Sequence, residues 1–247
     1  VPGLREEWND GIWEAACSDI DVAALHAHYL SAAAKNGMQI VTQAKLGSAR
    51  HDSSGWQIST EAGDAYRVSK LVNAAGAWAD QVARISGIVP LGIRPMLRTV
   101  VQLRVTPEPL PDLPLVMDIS GEFYFKPENG RIWLSPQDET RCEPCDAAPD
   151  ELTVAKAIDQ LEKVVDWQID AVERKWAGLR SFAADRLPVY GADDRNPDFY
   201  WFAGQGGFGI QTAPAAAELM AAQILSTAIP SHLASIDVTK YAPARFG

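Results

Sequence analysis

Four glycines fall within six positions at Gly204-Gln205-Gly206-Gly207-Phe208-Gly209. They follow the aromatic run Phe199-Tyr200-Trp201-Phe202 and lead through Ile210, Gln211 and Thr212 to Pro214 and an alanine-rich stretch ending at Leu225. The aromatics read as a buried strand, the glycines as a tight crossing, and Pro214 as the first turn of a helix beginning near Thr212. Backbone without side chains can lie flush against a flat ligand and can take positive φ. The helix start aims free N–H groups and the positive end of a dipole at the same place. A planar electron acceptor that becomes anionic suits such an elbow, and so does a turn that merely packs tightly.

Three other groups could carry chemistry. The run Leu71-Val72-Asn73-Ala74-Ala75-Gly76-Ala77-Trp78 reads as a short buried strand entering small residues, where backbone again comes close to something. Arg180 lies among apolar residues in Trp176-Ala177-Gly178-Leu179-Arg180-Ser181-Phe182, so it should meet a carboxylate, from this chain or from a ligand. Arg98 and Tyr124, on separate strands, can project from one sheet face into a pocket. Cys142 and Cys145 form a C-x-x-C in a polar loop with no second pair and no flanking helix, so neither zinc nor redox chemistry is expected there.

These groups need elements to hold them. A helix capped by Asp19-Ile20-Asp21 is predicted through Asn36, with Gly37 as its stop and Leu25, Tyr29 and Ala32 or Ala33 on one face. Met38 to Thr42, Trp56 to Thr60 and Tyr66 to Ser69 read as strands of a meander, and Trp78 to Ile85 as a short helix. Ile93 to Thr106 is extended. Leu115 to Ile119, Glu122 to Lys126 and Arg131 to Ser135 follow as antiparallel strands, the last two joined by Asn129-Gly130. A helix covers Asp150 to about Trp167, and a strand Ala171 to Trp176.

The chain has 247 residues, is 47% hydrophobic and carries a net charge of -10. That is enough apolar material for one large domain or two small ones. No cluster of Lys or Arg breaks the acidic balance, so nucleic acid is a poor partner. Three cysteines argue against a disulfide scaffold. Neither a membrane span nor a secretory leader is visible, but the sequence does not begin with Met and the address cannot be read from its start; a cytoplasmic one is the expectation, with peripheral contact at the inner membrane face as its variant.

Taken together, the motifs at Leu71 to Trp78, Trp176 to Arg180 and Gly204 to Pro214 resemble the FAD-dependent D-amino acid oxidase family, in that family's order and spacing. Phe123-Tyr124-Phe125-Lys126-Pro127, Gly178 to Phe182 and the Gly-Gln-Gly-Gly form of the elbow are most similar to its bacterial D-arginine or D-amino acid dehydrogenases. The resemblance implies a mixed α/β (α+β) fold: an FAD-binding Rossmann-like domain, discontinuous over 20–88 and 176–247, with a mostly antiparallel substrate-binding sheet domain over 1–19 and 89–175. Members begin with a strand, a Gly-x-Gly-x-x-Gly loop and a helix, and this sequence has no such segment. An incomplete FAD-binding domain is therefore expected, with its N-terminal βαβ unit outside this sequence or on a companion chain.

Residue by residue, the resemblance implies FAD contacts at Lys45 or Leu46 on the adenine side. Ala74, Ala75 and Gly76 match a wall of the FAD tunnel, and Gln205, Gly206, Gly207, Phe208, Gly209, Ile210 and Gln211 the loop around the isoalloxazine. Arg180 matches the arginine that grips a substrate carboxylate, Arg98 a second carboxylate contact and Tyr124 a hydroxyl over the substrate. Gly206 or Gly207 offers a carbonyl to the amino group, and Leu115 and Met117 are pocket walls. The implied reaction is oxidation of a D-amino acid to its imine by hydride transfer to flavin N5, with a quinone, dye or oxygen as final acceptor. Glycine, sarcosine, opine or proline-type amine oxidation stays open, as does a non-catalytic flavoenzyme subunit.

Overall fold

The structure is a computed structural model describing residues 1–247. The chain divides into two compact units, one of residues 1–15 and 95–180, the other of 16–94 and 181–247.

The first unit is a five-stranded sheet with one helix on its apolar face. Its strands are β5 (Arg94–Thr106), β6 (Val116–Met117), β7 (Tyr124–Glu128), β8 (Arg131–Ser135) and β9 (Gln168–Phe182), ordered β6-β7-β8-β5-β9. Two-residue alternation decides the faces. Val101, Leu103 and Val105 of β5, Phe125 of β7 and Ile132 and Leu134 of β8 enter the core. The helix α3 (Glu151–Val164) covers them with Val154, Ala157, Leu161 and Val164, one stripe at helical spacing. Asp150 caps it, its carboxylate accepting from Thr153 N at 2.8 Å and Thr153 Oγ1 at 3.0 Å. Asn129 and Gly130, both at positive φ, make the tight hairpin that Asn-Gly specifies between β7 and β8.

Three strands differ in their bounds from the sequence expectation. The strand expected over Leu115 to Ile119 shrinks to Val116–Met117, because the chain turns back at Asp118: its N–H donates to Phe123 O, its carbonyl accepts from Gly121 N and its carboxylate from Glu122 N. The next strand then starts at Tyr124 rather than Glu122. β9 is far longer than Ala171 to Trp176 and carries Arg180 near its end.

The second unit holds two three-stranded sheets. Strands β1 (Leu46–Asp52), β2 (Gly55–Thr60) and β3 (Ala65–Val68) form an antiparallel meander. In the other sheet β11 (Phe199–Ala203) lies between β10 (Val189–Ala192), to which it is antiparallel, and β4 (Leu71–Asn73), to which it is parallel. Trp56, Phe199 and Trp201 fill the core, and both indoles find acceptors: Trp56 Nε1 donates to Asp198 O at 3.0 Å and Trp201 Nε1 to Asp193 Oδ2 at 3.1 Å. Helices α1 (Val22–Lys35), α2 (Ala79–Ile85) and α4 (Gly209–Leu225) complete it. No helix of the chain is long and apolar enough to cross a membrane.

Two expectations fail here for identifiable reasons. Met38 to Thr42 is irregular rather than a strand. Gly37 at φ +88° ends α1 by sending its own N–H to Ala34 O and that of Met38 to Ala33 O, which takes Met38 out of any ladder. α1 itself stands as expected: Asp21, accepting from Ala24 N at 2.9 Å, holds its start, and Leu25, Ala32 and Ala33 are its partly buried residues. Finally α4 opens at Gly209, not near Thr212: Thr212 N closes the first turn on Phe208 O at 3.1 Å. Pro214 therefore lies inside the helix, where its missing N–H leaves the Ile210 carbonyl without its helical donor.

Candidate functional site

In the second unit the parallel pairing of β4 with β11 sets Asn73 opposite Trp201. Parallel strands end on the same side, so the loops that leave them, Ala74-Ala75-Gly76 and Gly204 to Phe208, lie at one carboxyl edge. That edge is where open α/β sheets take ligands. Asn73 clamps the first loop, its Nδ2 donating to Ala79 O at 2.8 Å and its Oδ1 accepting from Ala75 N at 3.3 Å. Gly76 has φ +55°, and a Cβ there would meet nothing within 4 Å. The loop surface is thus open where a planar group would lie.

The elbow is built differently from the sequence expectation. Gly206 has φ +56°, and a Cβ on it would stand 2.6 Å from the Phe182 ring. Gly204, at φ +70°, faces Ala183 and Ile93 at 3.4–3.5 Å. At Gly206 the chain's own packing demands glycine, whereas at Gly204 a methyl would find ordinary contact and only the positive φ favours glycine. The outer side of the turn remains accessible: Gly207, Phe208, Ile210 and Gln211 are exposed, and the first-turn N–H groups of α4 belong to Gly209, Ile210 and Gln211. Gly206 N donates to Ser181 O at 2.8 Å, so the elbow hangs on the residue that follows Arg180.

Lys45 and Leu46 sit at the start of β1, in the other sheet. The Lys45 carbonyl already accepts from Glu61 N at 2.8 Å, and its ammonium pairs with Glu61 at 2.8 Å. Leu46 packs against the core around Trp56. The Lys45 carbonyl is thus tied to the turn that follows β2.

In the first unit the face of the sheet opposite α3 gathers charge. Arg98, on the non-core side of β5, is only 7% exposed, yet its Nε and Nη1 have no protein partner. Its Nη2 donates to Glu139 Oε1 at 3.3 Å. The strand-like segment carrying Glu139 is fixed beside β5: Leu97 N donates to Thr140 O at 2.8 Å, and Asp138 accepts from Thr99 N at 2.7 Å and Thr99 Oγ1 at 2.9 Å. Burial, and next to it the positive charge of Arg180, pull the Arg98 guanidinium below its ordinary value, while Tyr124, Asp138 and Glu139 act the other way. Arg98, Arg180 and Tyr124 are therefore neighbours. Met117 stands directly across the ladder from Tyr124 and is 58% exposed; Leu115, just before β6, is exposed too.

Two guanidinium groups within electrostatic reach of each other repel, and unpaired donors on a buried arginine are costly. A bidentate anion such as a carboxylate relieves both. The cleft of about 280 Å³ lined by Glu122, Asp138, Thr153 and Lys156 contains neither arginine.

Sequence reasoning missed Glu139 and Asn73. The ion pair it predicts for Arg180 is seen at Arg98, and Glu139 could have been found by asking which acid answers a second arginine on the sheet. Asn73 could have been found as the one polar residue at the end of an apolar strand, where a side-chain amide can tie the following turn.

Comparison with known proteins agrees with this architecture. The chain is 27% identical over 192 residues to the FAD-dependent oxidoreductase domain-containing protein 1 of Bos taurus, a match covering 71% of this chain and 39% of the relative. Among solved structures it superposes on glycine oxidase from Geobacillus kaustophilus with a TM-score of 0.73 at 23% identity, covering 90% of this chain and 57% of that one. It superposes on L-proline dehydrogenase from P. horikoshii with a TM-score of 0.75 at 22% identity, covering 90% and 59%. The chain thus spans well under two thirds of the length of these proteins. Residues 1–223 match the family described as FAD dependent oxidoreductase (DAO), and the chain belongs to that family.

Proposed function

We propose that the protein of which this chain is part oxidises an amino acid with FAD, and that its substrate is a D-amino acid. The observation that carries this reading is Arg98: a buried guanidinium with Nε and Nη1 unpartnered, beside Arg180 and the Tyr124 hydroxyl. Such a pair binds a carboxylate, which amino acids of either hand possess. The D preference rests on the likeness of Phe123 to Pro127 and of Gly178 to Phe182 to D-amino acid dehydrogenases. Similarity to a glycine oxidase and an L-proline dehydrogenase supports the broader class, an amino-group donor oxidised at carbon.

The residues of the chain fit FAD at the edge shared by β4 and β11. Ala74 to Gly76 offer a side-chain-poor wall, and Gly209, Ile210 and Gln211 offer N–H groups at the positive end of α4. Bound there, FAD supplies a two-electron acceptor for the substrate's hydride.

Arg180 and Arg98 bind and orient the carboxylate, which fixes the direction of the α C–H bond; much of the rate then comes from orientation. Tyr124 donates its hydroxyl to the same anion or to the amino group, and Met117 and Leu115 exclude water from the side chain. Electrons leave to a quinone, a dye or oxygen. A companion chain is a further partner in this reading, one that would bring the pyrophosphate-binding part of the FAD domain, and the exposed apolar face of α1 is a surface for it to cover.

The test uses the full-length, FAD-loaded enzyme under anaerobic conditions. Bleaching of the flavin band by D-amino acids, with L-amino acids inert, is expected. Bleaching by glycine, sarcosine or L-proline alone overturns the D assignment, and no bleaching by any amino acid overturns the reading as a whole. Peroxide formed per turnover then separates an oxidase from a dehydrogenase.

A further inference from the structure

The Cys142-Glu143-Pro144-Cys145 loop is not absorbed by this function. The two thiols flank a bend at Pro144 and act on each other electrostatically; Cys142 is half-buried and Cys145 is exposed. Pro144 fixes the bend between them, as its locked φ favours. No group of three or more His, Cys, Asp or Glu side chains is placed there to hold a metal ion. The loop is also tethered. Cys142 N donates to Pro95 O at 3.3 Å, Arg141 bridges to Met96, and Thr140 and Glu139 reach Leu97 and Arg98.

We propose that Cys142 and Cys145 are a reversible peroxide-oxidised pair, a modification site whose disulfide closes the loop attached to the Arg98 strand. The exposed Cys145 is the attacking thiol. Its thiolate attacks one oxygen of hydrogen peroxide, the O–O bond breaks, and a sulfenic acid forms while hydroxide leaves and takes up a proton. The Cys142 sulfur then attacks the sulfenic sulfur, the S–O bond breaks, and the departing hydroxide takes the Cys142 proton as water. Two electrons pass from the two sulfurs to one peroxide, giving one disulfide and two waters. Burial, with the nearby Cys145, pushes the Cys142 thiol up, which suits a resolving rather than an attacking sulfur.

The experiment treats the reduced full-length protein with stoichiometric hydrogen peroxide, quenches with iodoacetamide and maps the peptides. Two of the three cysteines should lose alkylation together, in one peptide lighter by two hydrogens and restored by dithiothreitol, while Cys17 stays alkylated. In Cys142→Ser a dimedone adduct should collect on Cys145. Alkylation of both loop cysteines at peroxide levels that consume Cys17 overturns the proposal. So does passage of Cys145 to sulfinic acid in the wild-type protein without a link to Cys142. A folding failure of the variant does not affect the wild-type mapping, which decides by itself.

Discussion

Arg98 gives Nη2 to Glu139 Oε1 at 3.3 Å while its Nε and Nη1 stay unpartnered next to Arg180. Glu139 thus takes one Arg98 donor and, with Asp138, offsets the positive charge that the two guanidinium groups offer a ligand. Replacing Glu139 with Gln raises that charge. In the full-length enzyme Glu139→Gln should bind dicarboxylate inhibitors several-fold more tightly and shift kcat/KM toward acidic amino acids. The added repulsion should cost about 1–3 kcal/mol of stability. Inhibitor constants for a monocarboxylate and a dicarboxylate, read beside Tm, check this; equal changes for both anions would mean that Glu139 does not set the charge of the site.

Arg180 is the member of the pair with direct charge on Arg98 and a place at the end of β9. Truncation removes charge-assisted hydrogen bonds worth about 1.5–3 kcal/mol. Arg180→Ala should therefore lower kcat/KM by about ten- to hundredfold. Arg180→Lys keeps the charge but loses the planar fork, and should recover only part of it. Unchanged kinetics in both variants would take Arg180 out of the site.

The C-terminal tail is tied to the second unit by Arg245, whose Nε and Nη2 reach Asp185 at 2.7 and 3.1 Å and whose Nη2 also reaches Leu187 O at 2.9 Å. The Arg245 hydrogen bond holds the Asp185 carboxyl below its ordinary 3.8. A depressed folded value means that the stabilisation is present above the unfolded value and disappears as pH falls below it. Acidification from neutral should thus loosen residues 231–247 only below about pH 4. Hydrogen exchange across that range checks this, and Asp185→Asn should make the tail exchange fast at every pH.

Much of this was legible because local chemistry and global packing agree. Asn129-Gly130 specified its hairpin, Asp150 its helix start, and the Val101, Leu103, Val105 alternation its buried face. What was not legible depended on partners far along the chain. The glycine of Gly206 reads as room for a ligand until Phe182, distant in sequence, is found against it. Met38 to Thr42 alternates like a strand, but a strand also needs a neighbour to share its ladder. Glu139 sits in a polar loop whose role appears only once Leu97 has paired with Thr140.

Two glycines at nearly the same positive φ separate a packing requirement from a cofactor requirement. Forcing an L residue to φ near +55° costs about 1–2 kcal/mol at either place. At Gly206 an added methyl also strikes the Phe182 ring, 2.6 Å from the Cβ position. Gly206→Ala should therefore destabilise by about 3 kcal/mol or more, adding overpacking to backbone strain. At Gly76 nothing in the chain lies within 4 Å of that methyl. Gly76→Ala should show only the backbone cost in Tm, yet weaken FAD retention several-fold if the flavin runs along the Ala74 to Gly76 wall. Thermal melting of the apoprotein and FAD dissociation followed by flavin fluorescence give the two readings separately. A Gly76→Ala protein that holds FAD as firmly as wild type would place the cofactor away from the carboxyl end of β4.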